Sequence, residues 1–95
     1  MLYAIHCYDR SDALEVRLRV RAEHQDHLRN ATVRIALCGP LLGSDGETMV
    51  GSLFVVEAPD REAAEAFANA DPFRREGVWE SVRINGFTDR SADFR

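Results

Sequence analysis

The chain has 95 residues, of which 12 are basic and 16 acidic, so its formal net charge at pH 7 is −4. This length predicts a single domain, and the acidic balance argues against a dedicated nucleic-acid binder or a protein that adheres to anionic membranes. No apolar run approaches the ~20 residues of a membrane span, and the N-terminus lacks a signal-peptide pattern. A cytoplasmic globular domain is therefore expected.

The first part of the chain predicts a strand followed by a long helix. Residues 2–8 are largely apolar on both faces of a strand, which predicts a central position in a sheet. The helix that follows is expected to end near Asn30, and either Ser11 or Asp12 could cap its first turn.

The second part predicts a hairpin, a shorter helix and a last strand. Residues 33–42 form the second predicted strand, and Pro40 within it favours an edge strand, a bulge or a kink. A short turn leads to a third strand over 49–58, so these two strands are expected to pair antiparallel. Three further elements are predicted: a helix over 60–70 with Asp60 as its N-cap, one helical turn over 73–76 and a strand over 78–87.

The order βαββαβ predicts a ferredoxin-like α+β fold, with a four-stranded antiparallel sheet and two helices on one face. Its domain is expected to span residues 1–88, followed by a polar tail over 89–95. Because the helices cover only one face, the other face would leave apolar side chains in water. We therefore expect a homodimer joined through the open sheet face, with C2 symmetry as the default arrangement.

His24 is the main candidate for chemistry in the first helix. Arg17 and Arg21 precede it at helical spacing on one stripe, and an imidazole in such surroundings could act as a general acid or base. The alternative interpretation is a solvated histidine on a helix surface.

Asp71 is the second candidate, since it follows the predicted second helix at the end where the helix dipole disfavours an anion. It could orient an imidazole, as the aspartate of a His-Asp pair does. The alternative is that Asp71-Pro72 only ends the helix. Asp9 is expected to cap the first helix rather than take part in catalysis.

Cys7 and Cys38 are predicted to be buried free thiols, because both lie in apolar strands. A metal site formed by His6, His24 and a carboxylate is conceivable, but no HxH or HxxxH spacing supports it. No glycine-rich phosphate loop occurs either. Neither a metal nor another cofactor is therefore expected.

Five motifs occur in order along the chain: Met1-Leu2-Tyr3-Ala4-Ile5 with Asp9 after it, Leu14-Glu15-x-Arg17-Leu18-x-Val20-Arg21-x-x-His24, Cys38-Gly39-Pro40-Leu41, Gly51-Ser52-Leu53 and Ala68-x-Ala70-Asp71-Pro72-Phe73-x-x-x-Gly77-Val78-Trp79-Glu80. With this set the sequence resembles the YciI-like proteins, the YCII-related domain family.

The resemblance implies a dimeric α+β barrel, akin to muconolactone isomerase, with a His-Asp pair as its active site. The matching pair here is His24 and Asp71. The implied substrate-binding residues are Arg17, Arg21, Gly39, Pro40 and Ser52. One member of the family is a dehydrochlorinase of a chlorinated hydroxyhydroquinone, which favours lyase chemistry on a small aromatic or enol-type acid.

The sequence therefore predicts one of two functions. In the first, a cofactor-independent enzyme uses His24 to transfer a proton, Asp71 to orient the imidazole, and Arg17 or Arg21 to hold an anionic small molecule. In the second, the protein is a non-catalytic ligand-binding or accessory dimer in which the His-Asp hydrogen bond is structural. A close His24–Asp71 contact beside a cavity would favour the enzyme, whereas an exposed His24 without a cavity would favour the module.

Overall fold

One antiparallel sheet organises the chain in the computed structural model, which describes all 95 residues. Its strands are β1 (Leu2–Asp9), β2 (Arg34–Leu42), β3 (Met49–Glu57) and β4 (Trp79–Phe87). Their spatial order is β2-β3-β1-β4. The central position predicted for the first strand is confirmed, and the second strand lies at an edge, as its proline predicts.

Four α-helices join the strands, and they pack on one face of the sheet to give the predicted ferredoxin-like fold. They are α1 (Leu14–Arg19), α2 (Arg21–Arg29), α3 (Arg61–Asn69) and α4 (Pro72–Arg75), and a 3-10 helix over Ser91–Phe94 follows β4. None of the helices has the length and apolarity required to cross a bilayer. The core lies between the helices and the sheet, and Ile5, Val56 and Phe73 are among its fully buried side chains.

The prediction of a single long helix after β1 is wrong, because α1 and α2 are separate helices. They meet at Val20, whose φ of −100° and ψ of 9° depart from helical values. Backbone hydrogen bonds from Val20 to Val16 and from His24 to Val20 continue across the break. The expected side-chain cap at Ser11 or Asp12 is also absent, since α1 begins after Ala13 without one.

The second helical region follows the sequence prediction closely. Asp60 caps α3 by accepting a hydrogen bond of 2.8 Å from the amide of Ala63. The further turn is α4, and Gly77 follows it with a φ of +72°, a left-handed conformation that glycine adopts without a steric penalty. This turn directs the chain into β4.

Of the three alternatives expected at Pro40, the structure shows the edge strand, with neither a bulge nor a kink at Gly39-Pro40. Both residues stay in register with β3, while the register shifts lie on either side of them, at 35–37 and 41–42. An edge strand can accommodate a proline because one side of its backbone needs no partner.

The face of the sheet opposite the helices carries an apolar patch, which is bordered on β4 by the polar residues Ser81, Arg83 and Asn85. Its cross-strand neighbours include Ala4, Val55 and Leu37 in one row and Leu2 with Phe87 in another. Leu37 is 59% exposed and Phe87 43% exposed. A surface of this kind is typical of an interface.

We expect a second copy of the chain to cover this face. Sedimentation of the protein at micromolar concentration should give the mass of two chains. Leu53→Arg, on the open face, should give the mass of one chain because it places a charge in the interface. Leu18→Arg, at an exposed position of α1, should not change the mass. A wild-type protein that sediments as one chain would contradict the expectation.

The two cysteines differ in exposure. Cys7 is fully buried, as predicted, but the prediction for Cys38 is wrong because its residue is exposed. Cys38 lies on edge strand β2 opposite Phe54, where no further strand covers it. Burial, with a smaller contribution from the negative charges of Asp71 and Asp9, raises the pKa of the Cys7 thiol from 9.0 to about 12.

A thiol reagent at mildly alkaline pH should therefore label Cys38 quickly and Cys7 only after unfolding. Because the folded state holds the Cys7 proton more tightly, the stability that this thiol contributes is complete below pH 9 and is lost as the pH rises towards 12. The expected loss is about 1.4 kcal/mol for each pH unit in that window. Urea unfolding of wild type and Cys7→Ala should show a steeper alkaline loss in the wild type, and equal slopes would refute this account.

Candidate active site

The structure brings His24 of α2 into direct contact with Asp71, which precedes α4. The Nδ1 atom of His24 lies 2.8 Å from Oδ1 and 2.9 Å from Oδ2 of the carboxylate. The contact is shielded from water, since His24 is 8% exposed and Asp71 only 1%. A hydrogen bond to a charged group is stronger in such surroundings than at a surface.

Asp71 occupies a different place in its helix from the one expected. The helix α3 ends before it, and Asp71 is the N-cap of α4, where its Oδ1 accepts a hydrogen bond of 2.8 Å from the amide of Phe73. The carboxylate thus receives one backbone donor and one imidazole donor. These two donors compensate the cost of burying its charge.

The hydrogen bond to Asp71 determines which nitrogen of His24 is available for chemistry. A carboxylate only accepts hydrogen bonds, so Nδ1 carries the proton and, in the neutral ring, Nε2 has a free lone pair. Nε2 makes no hydrogen bond within the chain. The ring is held by stacking on Phe73, with centroids 3.9 Å apart and an angle of 10° between the planes.

A second buried ionic contact lies beside the first. Arg17 of α1 donates to both carboxylate oxygens of Asp9, at 3.1 and 2.9 Å, and to the Oγ of Ser52 at 3.1 Å. Its guanidinium lies 4.7 Å from the centre of the Phe73 ring. Burial raises the pKa of Asp9, and the positive charge of Arg17 offsets only part of that increase. The expectation that Asp9 caps the first helix is wrong, because its carboxylate binds Arg17.

A cavity of about 150 Å³ lies between α1, α2 and the edge of the sheet. Its wall includes His24 and all the substrate-binding residues that the family resemblance implies: Arg17, Arg21, Gly39, Pro40 and Ser52. Asp71 lies behind His24, outside the lining. Arg21 is exposed and takes part in no ion pair, so its charge is available to a ligand.

Sequence reasoning overlooked two contributors to this site. Phe73 supports both His24 and Arg17, although as an apolar residue after a proline it carries no local signal of that role. Asp9 anchors Arg17, and its place in the first sequence motif was the only indication. The metal hypothesis is wrong: no group of three His, Cys, Asp or Glu side chains could hold an ion, and His6 shares a strand face with Ala4, away from the helices.

The chain matches the YCII-related domain over residues 1–88. It belongs to the YCII-related family. Protein YciI of Escherichia coli O6:H1 is 36% identical over 94 residues, covering 92% of this chain and 96% of YciI. An uncharacterized protein of Haemophilus influenzae is 31% identical with the same coverage.

The fold is similar to that of a solved enzyme. The 5-chloro-2-hydroxyhydroquinone dehydrochlorinase TftG of Burkholderia phenoliruptrix, in complex with 2,5-dihydroxybenzoquinone, superposes with a TM-score of 0.85 at 27% identity, over 97% of this chain and 98% of TftG. An antibiotic biosynthesis monooxygenase, at 15% identity and a TM-score of 0.54, shares the fold. Both superpositions bear out the ferredoxin-like α+β fold of this chain.

Removing the carboxylate of Asp71 should destabilise the fold as well as the site. In Asp71→Ala both donors lose their buried acceptor, so we expect a loss of about 3 kcal/mol in the free energy of unfolding. Asp71→Asn keeps one acceptor oxygen and should lose about 1 kcal/mol. Asp60→Ala, which removes the exposed cap of α3, provides the comparison at about 1 kcal/mol. Urea unfolding measures all three, and an Asp71→Ala variant as stable as the wild type would show that the contact is energetically unimportant.

Proposed function

We propose that the protein is a cofactor-independent enzyme that uses His24 and Asp71 to transfer a proton on a small anionic aromatic or enol-type acid, in lyase or isomerase chemistry. One observation carries the proposal: the imidazole of His24 lines a cavity, and its Nδ1 makes a buried hydrogen bond to Asp71. This arrangement makes Nε2 a base and supplies the charge that stabilises the imidazolium formed when it takes a proton.

The chemistry follows from that base. Nε2 of His24 removes a proton from a carbon or hydroxyl next to a carbonyl or enol, and the electron pair left behind moves into the conjugated system. In a lyase reaction an anionic leaving group such as chloride departs with its electron pair as a new double bond forms. In an isomerase reaction the imidazolium returns the proton to another atom of the same molecule.

Charge and size support an anionic ligand of one ring. Arg17 and Arg21 both line the cavity, and no acidic residue does. An engineered apolar cavity of about 150 Å³ accommodates benzene, and the cavity here has a similar volume. The neighbour TftG was solved with a one-ring dihydroxybenzoquinone.

The alternative is a non-catalytic ligand-binding dimer with a structural His-Asp contact. A structural contact has no need of a nitrogen left without a partner beside a cavity. The free Nε2 therefore favours the enzyme.

Two assays test the proposal: chloride release from chlorinated dihydroxy- and trihydroxybenzenes, and exchange of carbon-bound hydrogen in one-ring keto and enol acids followed by NMR in D₂O. With any compound that reacts, His24→Asn should lower kcat about 10²- to 10⁴-fold because the base is lost. Asp71→Asn should lower kcat by a smaller factor.

His27→Gln is the matched control on the same helix, since His27 binds the carbonyl of Phe67 outside the cavity. It should react like the wild type. Full activity in His24→Asn, or no reaction with any compound of these classes, would refute the proposed function.

A further inference from the structure

Ser52 has a hydrogen-bonding capacity that the proposed proton transfer does not use. It is 2% exposed, yet it lines the cavity. Its Oγ accepts a hydrogen bond from Arg17. A guanidinium has no acceptor atom, so the hydroxyl proton of Ser52 cannot be directed at Arg17. No other side chain or carbonyl of the chain accepts it, which leaves this proton for a ligand in the cavity.

Ser52 is not placed to act as a nucleophile. A serine nucleophile requires a base within hydrogen-bond distance, and its one partner, Arg17, stays protonated. His24 directs Nδ1 at Asp71 and makes no hydrogen bond to Ser52. The guanidinium instead withdraws electron density from the hydroxyl and makes it a stronger donor.

Two features fix the position of this donor. Asp9 binds one nitrogen of Arg17 through both carboxylate oxygens, which leaves the second nitrogen for Ser52. The other feature is Gly51, where any side chain would collide with the carbonyl oxygen of Cys7, so β3 can approach β1 closely only with glycine there. The hydroxyl is thus held before a ligand arrives, as electrostatic stabilisation of an anion requires.

We propose that Ser52 and Arg17 form an oxyanion site on the wall of this cavity, with Asp9 as the positioning residue. The hydroxyl of Ser52 donates to a phenolate, enolate or carboxylate oxygen, and Arg17 supplies the positive charge behind it. The inference deepens the proposed function and rests on its cavity, because charge that develops when His24 removes a proton would be stabilised at Ser52. Anion binding itself does not require the proton transfer.

The probe is 4-nitrophenol, whose phenolate absorbs at longer wavelength than its phenol, so that absorbance reports the ionisation of the bound molecule. Nitrobenzene is the neutral comparison of similar size. The wild type should bind the phenolate more tightly than nitrobenzene and ionise bound nitrophenol at a lower pH than in water. Ser52→Ala and Asp9→Asn should each weaken phenolate binding at least about tenfold and leave nitrobenzene binding unchanged.

The comparison with nitrobenzene separates the oxyanion site from a structural role, which would weaken both ligands. Ser44→Ala and Asp12→Asn, both exposed, are matched controls that should behave as the wild type. At a pH where nitrophenol is already ionised, binding leaves no proton for His24 to remove, so the oxyanion site and the His-Asp function can fail separately. Three results would overturn the proposal: no preference for phenolate in the wild type, an unchanged preference in Ser52→Ala, or loss of the preference in Arg21→Gln alone.

Discussion

A carboxylate buried without water must find donors, and Asp71 finds them in two different elements. Its oxygens accept from the backbone at the start of α4 and from an imidazole on α2. The same carboxylate therefore caps α4, joins α4 to α2 and determines the tautomer of His24. Phe73, two residues further on, is placed by this cap, and its ring supports His24 and Arg17.

Two buried contacts lie beside Phe73: His24 with Asp71, and Arg17 with Asp9. Each pairs a cationic or basic group with a buried carboxylate, which lowers the cost of removing charge from water. Each contact also leaves one hydrogen-bonding group without a partner in the chain. Beside Asp71 this is the lone pair on Nε2 of His24, and beside Arg17 it is the hydroxyl proton of Ser52. One acceptor and one donor thus face the same cavity, whose lining includes no acidic residue.

Sequence reasoning recovered the sheet because strand alternation and turn residues are local signals. It placed all four strands to within one residue at both ends. It identified Asp60 as a cap because the Asp-to-amide bond spans only three residues. The contact between His24 and Asp71 spans 47 residues, and only the resemblance to a family pointed to the pair.

The features that sequence reasoning missed depend on tertiary contacts. No glycine or proline marks the helix break at Val20, a residue that is buried in the core. Asp9 was expected to satisfy a helix end nearby, but an arginine eight residues away competes for it. Cys38 belongs to an apolar strand, and only the position of that strand at the sheet edge leaves its residue exposed.

That exposure gives the cavity an attachment point of its own. Cys38 belongs to the cavity wall, along with His24 and Ser52, while the only other thiol is sealed in the core. Small disulfide-forming fragments would therefore attach at one position, and those with favourable contacts in the cavity would resist reduction longest. Competition among such fragments would reveal the shape and charge that the cavity prefers in its natural occupant, even before any reaction is identified.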